Sequence, residues 1–218
     1  GSMDYKFGLV RAAAASFLEH IGEEDQVAVY GFNTKIRLYQ DFSDSRDISD
    51  YIWDAKAEDA TRLYDCMDTA LDALAKRPER RRAELVITDG CDNLSKATLD
   101  SVLRKALSQA VTIYTVDLTD DDLILGTTSA ANDLRRGRRD LEEMARRSGG
   151  VYIHSPKGDK LEESFTSVVD ELRNQYTLTY YSTGQKRDGR WRKLDVAVSR
   201  PGITVRTRQG YYAPKGAS

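Results

Sequence analysis

Cysteine, histidine and proline are scarce in this chain, with two, two and four copies among 218 residues. Two cysteines, Cys66 and Cys91, cannot make the framework of a disulfide-stapled fold. Together with the distant His20 and His154 they lack the paired spacing of a structural zinc site. Charge of one sign is also missing: 33 Lys+Arg stand against 35 Asp+Glu, a formal net charge of -2, so no global basic field exists to draw in nucleic acid. No apolar run approaches the roughly 18 residues of a membrane span, and mean hydropathy is -0.58. The chain opens Gly1-Ser2-Met3 without a basic-then-apolar leader. Nucleotide and hydrolase signatures are absent too: no G-x-x-x-x-G-K-[ST], no G-x-G-x-x-G and no G-x-S-x-G. What remains is a soluble domain, 40% hydrophobic and 31% charged, long enough to bury roughly 70% of its unfolded surface without staples.

Periodicity supplies the architecture. Leu9, Val10, Ala13, Ala14, Phe17, Leu18 and Ile21 recur at helical spacing up to Gly22. Gln26 to Phe32 and Ile36 to Tyr39 read as a hairpin. Ser43-Asp44-Ser45 is placed to cap a helix carrying Ile48, Tyr51 and Ile52, and Leu63, Met67, Ala70, Leu71 and Leu74 mark another helix, with Pro78 just beyond it. Glu84 to Thr88 is a run closed by Asp89-Gly90, as expected of a strand buried on both faces of a parallel sheet. A helix through Leu99, Val102, Leu103, Ala106 and Leu107 leads to a strand over Val111 to Val116. A polar stretch from Asp117 to Arg139 precedes a short helix around Leu141 and Met144, ended by Gly149-Gly150. Val151 to His154 predicts a strand, and Leu161, Phe165, Val168, Val169 and Leu172 a helix. Strands alternating with helices predict an α/β, Rossmann-like doubly wound, mainly parallel sheet flanked by helices over residues 1–175. Tyr176 to Tyr181, Trp191 to Ser199 and Thr204 to Tyr212 then read as an antiparallel β extension over 176–218, continuing the sheet or packed on it.

In such sheets ligands bind beyond the carboxyl ends of the strands, which selects Thr61, Asp89-Gly90 and the acidic exit with Asp117, Asp120, Asp121 and Asp122. By residue type alone Thr61 is a helix N-cap, Asp89 a turn residue, and the acidic exit and the basic run Arg135 to Arg139 solvated surface. A hydroxyl and a carboxylate are also the hard oxygen donors that a hydrated divalent cation takes. The cysteines are either a disulfide or, as their type favours, two buried thiols. A phosphatase of the haloacid-dehalogenase type would need a D-x-D pair where Asp89-Gly90-Cys91 stands.

Several motifs occur in order: Thr61-Arg62-Leu63-Tyr64-Asp65, Val86-Ile87-Thr88-Asp89-Gly90 followed by Asp92-Asn93, Val111 to Val116, Gly149-Gly150, Glu171 to Tyr180, and Arg208 to Tyr211. Together they resemble the von Willebrand factor type A (VWA) domain, in its bacterial acidobacterial VWFA-related branch. The resemblance implies a metal-ion-dependent adhesion site from D-x-S-x-S in the first loop, Thr61 in the second and Asp89 in the third, with Asp65 and Asp92 in support. It reads Gly1-Ser2-Met3 either as the tail of the first motif, with Ser2 as a ligand, or as a protease-site scar in register. The first Asp and the central strand of the sheet would then lie ahead of Gly1. The sheet would be completed by such a piece, by a strand from another molecule or copy, or by rearranged C-terminal strands. The implied function is non-enzymatic: an adhesion or protein-interaction module that offers Mg²⁺, Mn²⁺ or Ca²⁺, held more weakly than in a complete site, to an acidic residue of a partner protein. A structural module with a vestigial site and, more remotely, a Mg²⁺-dependent hydrolase are the alternatives. The family resemblance also implies export to the periplasm, cell surface or medium.

Overall fold

The computed structural model describes residues 8, 17–18, 21–45, 60–155, 161–181 and 186–215. The expected helix around Ile48, Tyr51 and Ile52, most of the first helix, His20 and Ser2 lie outside the described residues. The elements are β1 (Val27–Phe32), β2 (Ile36–Ser43), α1 (Leu63–Ala75), β3 (Arg82–Thr88), α2 (Leu99–Gln109), β4 (Val111–Asp117), α3 (Asp121–Ile124), α4 (Ser129–Ser148), β5 (Tyr152–His154), α5 (Leu161–Arg173), β6 (Trp191–Lys193) and β7 (Gly210–Tyr212).

β3, β4 and β5 form a parallel sheet in that order, with Arg82 opposite Val111 and Thr88 opposite Asp117. Alternation along the strands sends odd and even residues to opposite faces. Val86, Val111 and Ile113 pack with Leu63, Met67 and Leu71 of α1, Val102 and Leu103 of α2, and Leu141 and Met144 of α4. Val116, Leu85 and Ile87 meet Leu161 and Phe165 of α5 on the other face, where Phe17 sets its ring edge-on to Phe165 at 5.6 Å. The sheet is thus wound on both sides, as the alternating pattern predicts.

Three expectations are corrected. β3, an edge strand of this sheet among the described residues, is buried on one face and half-buried on the other, where Leu85 and Ile87 meet α5; β4 is the strand buried on both faces. The helix expected around Leu141 begins far earlier, at Ser129, where Thr128 Oγ1 accepts from Ala131 N. Its early turns are solvent-facing and hide the apolar period. The β extension is reduced to the short antiparallel pair β6–β7, and Tyr176 to Tyr181 runs without a strand partner among the described residues. β1 and β2 form a separate antiparallel hairpin, and no described strand joins β1 to β3.

Local chemistry explains the boundaries that sequence placed well. Thr98 and Ser101 form a reciprocal capping box at the start of α2. Gly149 closes α4 at φ 91°, a left-handed cap that glycine adopts without a Cβ penalty.

Glu84 sits on the α1 face of β3, buried, with Oε2 lacking a hydrogen-bond partner. Burial, with the Asp68 carboxylate nearby, pushes its carboxyl from 4.5 up to about 8. The folded state therefore holds this proton more tightly than the unfolded chain. Its contribution to stability is fullest below pH 4.5, falls as pH rises, and is gone above about 8. Glu84→Gln should raise the urea midpoint at pH 8.5 and leave it nearly unchanged near pH 4. Equal shifts at both pH values would refute the assignment.

Candidate functional site at the carboxyl edge of the sheet

The parallel strands deliver Asp89 and Asp117 to one edge, beside the N-terminus of α1. There the loop before α1 and the loop after β3 are bound to each other in both directions. Thr61 N donates to Asn93 Oδ1 at 2.8 Å, and Thr61 O accepts from Asn93 N at 3.2 Å and Leu94 N at 3.1 Å. Thr61 is not the N-cap; that position falls on Arg62, which makes no side-chain cap. Asp92 does the capping from across the gap: its Oδ1 accepts from Tyr64 N at 3.3 Å and from Ser95 Oγ at 2.6 Å. The Asp92-Asn93-Leu94-Ser95 stretch carries the turn-forming residues that could have signalled this.

Asp65 spends both carboxylate oxygens on local bonds. Oδ1 accepts from Lys96 N and Ala97 N, and Oδ2 from Arg62. Burial opposes its charge, but these donors outweigh it and hold the carboxyl below its usual range. Asp65 is thus a strut between α1 and the loop before α2.

Asp89 Oδ1 accepts from Cys91 N at 3.0 Å, and its carbonyl accepts from Thr119 Oγ1 at 3.1 Å. Among the described residues Oδ2 has no N–H donor. Gly90, at φ 78°, lets the exit loop press backbone to backbone on Gly137 of α4; a Cβ on either glycine would lie 2.6 Å from the other's carbonyl carbon. Cys66 and Cys91 are unbonded thiols. Burial pushes both up to about 12, with the Asp89 carboxylate adding to the effect at Cys91. Neither is a thiolate nucleophile near neutral pH.

The acidic exit is not simply solvated. Asp117 is fully buried, and Thr119 N (2.8 Å), Arg138 Nε (2.8 Å) and Tyr152 OH (2.7 Å) all donate to it. Arg138 also reaches Asp121 and the Thr119 carbonyl, and its neighbour Arg135 holds the carbonyls of Ile124 and Gly126. Half of the basic run is therefore internal scaffolding. Nothing in local spacing announces the Asp117–Arg138–Tyr152 network, whose members come from β4, α4 and β5.

Among the described residues no three His, Cys, Asp or Glu side chains converge on a metal position. Among these residues Thr61 Oγ1 and Asp89 Oδ2 receive no N–H donor, while the Cys91 thiol also meets the Asp89 carboxylate. One hydroxyl and one carboxylate suit a hard, largely hydrated ion such as Mg²⁺ and are unsuited to zinc.

No family model matches this sequence, and no curated protein matches it. Solved structures do. A von Willebrand factor type A protein from Catenulispora acidiphila aligns with a TM-score of 0.63 at 15% identity, over 79% of this chain and 40% of that one. The chain has the VWA fold. BatB from Bacteroides thetaiotaomicron shares it with a TM-score of 0.60 at 12% identity, over 78% of this chain and 89% of that one. An aerotolerance-related membrane protein from Bacteroides fragilis gives 0.59 at 14% identity, over 76% and 88%. Asp89 leaves the carboxyl end of β3, and Thr61 stands on the loop before α1 that is bonded to the loop after β3. No described helix is long and apolar enough to cross a membrane.

Proposed function

We propose that this chain is a protein-interaction module, without enzymatic activity, whose carboxyl-edge loops present a divalent cation to an acidic side chain of a partner protein. The observation that carries the reading is the two-way clamp between Thr61 and Asn93. It ties the loop bearing Thr61 to the loop leaving Asp89, while among the described residues Thr61 Oγ1 and Asp89 Oδ2 stay without N–H donors. Those two atoms would hold Mg²⁺, Mn²⁺ or Ca²⁺, with Ser2 as a third ligand where the first loop supplies it. Asp65 and Asp92 keep the loops in place. A single carboxylate leaves the ion its charge and open positions, so a partner carboxylate can bind it as a ligand. Protonated thiols and the lack of a second acid next to Asp89 favour binding over turnover. A strand from a partner or second copy completing the sheet, and a periplasmic or cell-surface setting, suit such a module.

Metal is expected to stabilise the fold by mass action, by about 1.4 kcal/mol at ten times Kd. Differential scanning fluorimetry with and without millimolar Mg²⁺, Mn²⁺ or Ca²⁺ should show a melting shift of a few degrees. Asp89→Asn keeps the Oδ1 acceptor for Cys91 and should abolish that shift. A wild-type melt indifferent to all three ions removes the metal reading. It leaves a metal-free assembly module, which the strut role of Asp65 independently favours.

A further inference from the structure

The outer edge of β5 is open. Val151 O accepts from Thr115 N and Ser155 N donates to Asp117 O, so the strand's alternation turns the backbone groups of Tyr152 and His154 away from β4. Among the described residues no strand takes them up. A cavity of about 720 Å³ flanks this edge on one side of the sheet, lined by Val151, Tyr152, Trp191, Leu194 and Val196. A smaller one of about 320 Å³ flanks it on the other, lined by Val151, Ile153, Ser164, Ser167 and Val168.

The same chain carries an unpaired strand-like segment. Tyr176, Leu178, Tyr180 and Tyr181 are 93%, 73%, 51% and 98% exposed, an unusual concentration of apolar surface. The segment is rich in Tyr and Thr, which favour strands. It is tethered to the end of α5 by Asn174 and Gln175 alone, and Gln175 donates to Tyr114 OH at 2.7 Å. A helix returning along the sheet and feeding a parallel strand next to the preceding one is the right-handed crossover of α/β folds.

We propose that the β5 edge is a strand-accepting site and that its occupant is Tyr176–Tyr181 of the same chain, added as a fourth parallel strand. Alternation divides the segment to match the two cavities. Tyr176, Leu178 and Tyr180 fill the larger one beside Trp191 and Leu194, and Thr177 and Thr179 face the smaller one beside Ser164 and Ser167. In the structure described here the segment instead rests Tyr180 edge-on against Tyr211, with ring centroids 6.4 Å apart. The segment is thus a strap with two seats, and seating it on β5 removes both an exposed apolar patch and a bare sheet edge.

Hydrogen exchange on the full chain, at a concentration where light scattering shows a monomer, tests this. The amides of Tyr152 and His154 should exchange at least tenfold more slowly in the wild type than in Thr179→Pro, whose β3, β4 and α5 amides should be unaffected, and the wild-type Thr179 amide should exchange at least tenfold more slowly than that of an unstructured chain. Free-chain exchange of 176–181 in the wild-type monomer overturns the proposal. So does protection that grows with protein concentration as dimer forms, which would assign the edge to a second copy.

Discussion

Replacing Arg138 with methionine is expected to destabilise the domain by about 3–5 kcal/mol, the cost of leaving a buried charge without its partner. Asp117 has no solvent exposure, and its Oδ2 is held by Arg138 Nε at 2.8 Å and Tyr152 OH at 2.7 Å. Methionine fills much of the space but offers no donor. The carboxylate then keeps two of its three donors, Thr119 N and Tyr152 OH, with no compensating charge. At roughly 2–4 °C per kcal/mol for a domain of this size, the melting temperature should fall by about 10 °C. Arg138 also holds Asp121 and the Thr119 carbonyl, and Thr119 in turn holds the Asp89 carbonyl, so the same change should loosen the candidate metal loop. The double variant Asp117→Asn/Arg138→Met removes both charges and should be more stable than Arg138→Met alone, a coupling of opposite sign to additive damage. A cost below about 1 kcal/mol for the single variant would mean that the pair behaves as a surface ion pair.

Gly150→Ala should be comparably severe, for a steric reason. Gly150 is buried where α4 hands the chain to β5, and its N–H donates to Ala145 O at 2.9 Å. A Cβ there would lie deep inside the van der Waals radius of the Ile113 carbonyl oxygen. That oxygen belongs to the central strand, so relief requires moving β4 or the end of α4. Overpacking costs typically 1–3 kcal/mol where side chains can give way. Against backbone the loss should exceed about 3 kcal/mol. Gly202→Ala is the control: Gly202 also has a special backbone, at φ 78°, but nothing lies within 4 Å of an added Cβ. Its cost should be the left-handed penalty alone, about 1–2 kcal/mol. Parallel urea titrations of the two variants check this, and equal losses would show that close approach at Gly150 is unimportant.

The elements that sequence placed correctly are those written in short-range chemistry. The Val111 to Val116 run is nearly all apolar or β-branched, and it is the central strand because only such a run tolerates burial on both faces. Gly149 could be identified as a helix terminator because its conformation is disfavoured for other residues. The start of α4 was missed because its early turns are polar and solvent-facing, so no apolar period marks them. The Tyr176 to Tyr181 segment has the composition of a strand, yet pairing depends on which edge lies within reach, and that is not a local property.

The candidate site divides the same way. Thr61 and Asp89 stand at positions that a strand-end rule selects from sequence, and the order of motifs along the chain is enough to foresee the VWA fold that the solved structures share. The uses of the neighbouring acids were decided only in three dimensions. Asp92 caps a helix that begins 29 positions earlier, at Leu63, and Asp65 braces a loop some 30 positions later. Asp117, which by composition belongs to a solvated acidic exit, is the most deeply buried of these carboxylates because an arginine, a tyrosine and a backbone amide from three segments converge on it. Sequence by itself determined the alternation of strands and helices, since hydrophobic period and capping act over a few residues. Tertiary structure alone decided which charges are structural, because a carboxylate's role is set by the donors brought within 3 Å of it, and those arrive from distant parts of the chain.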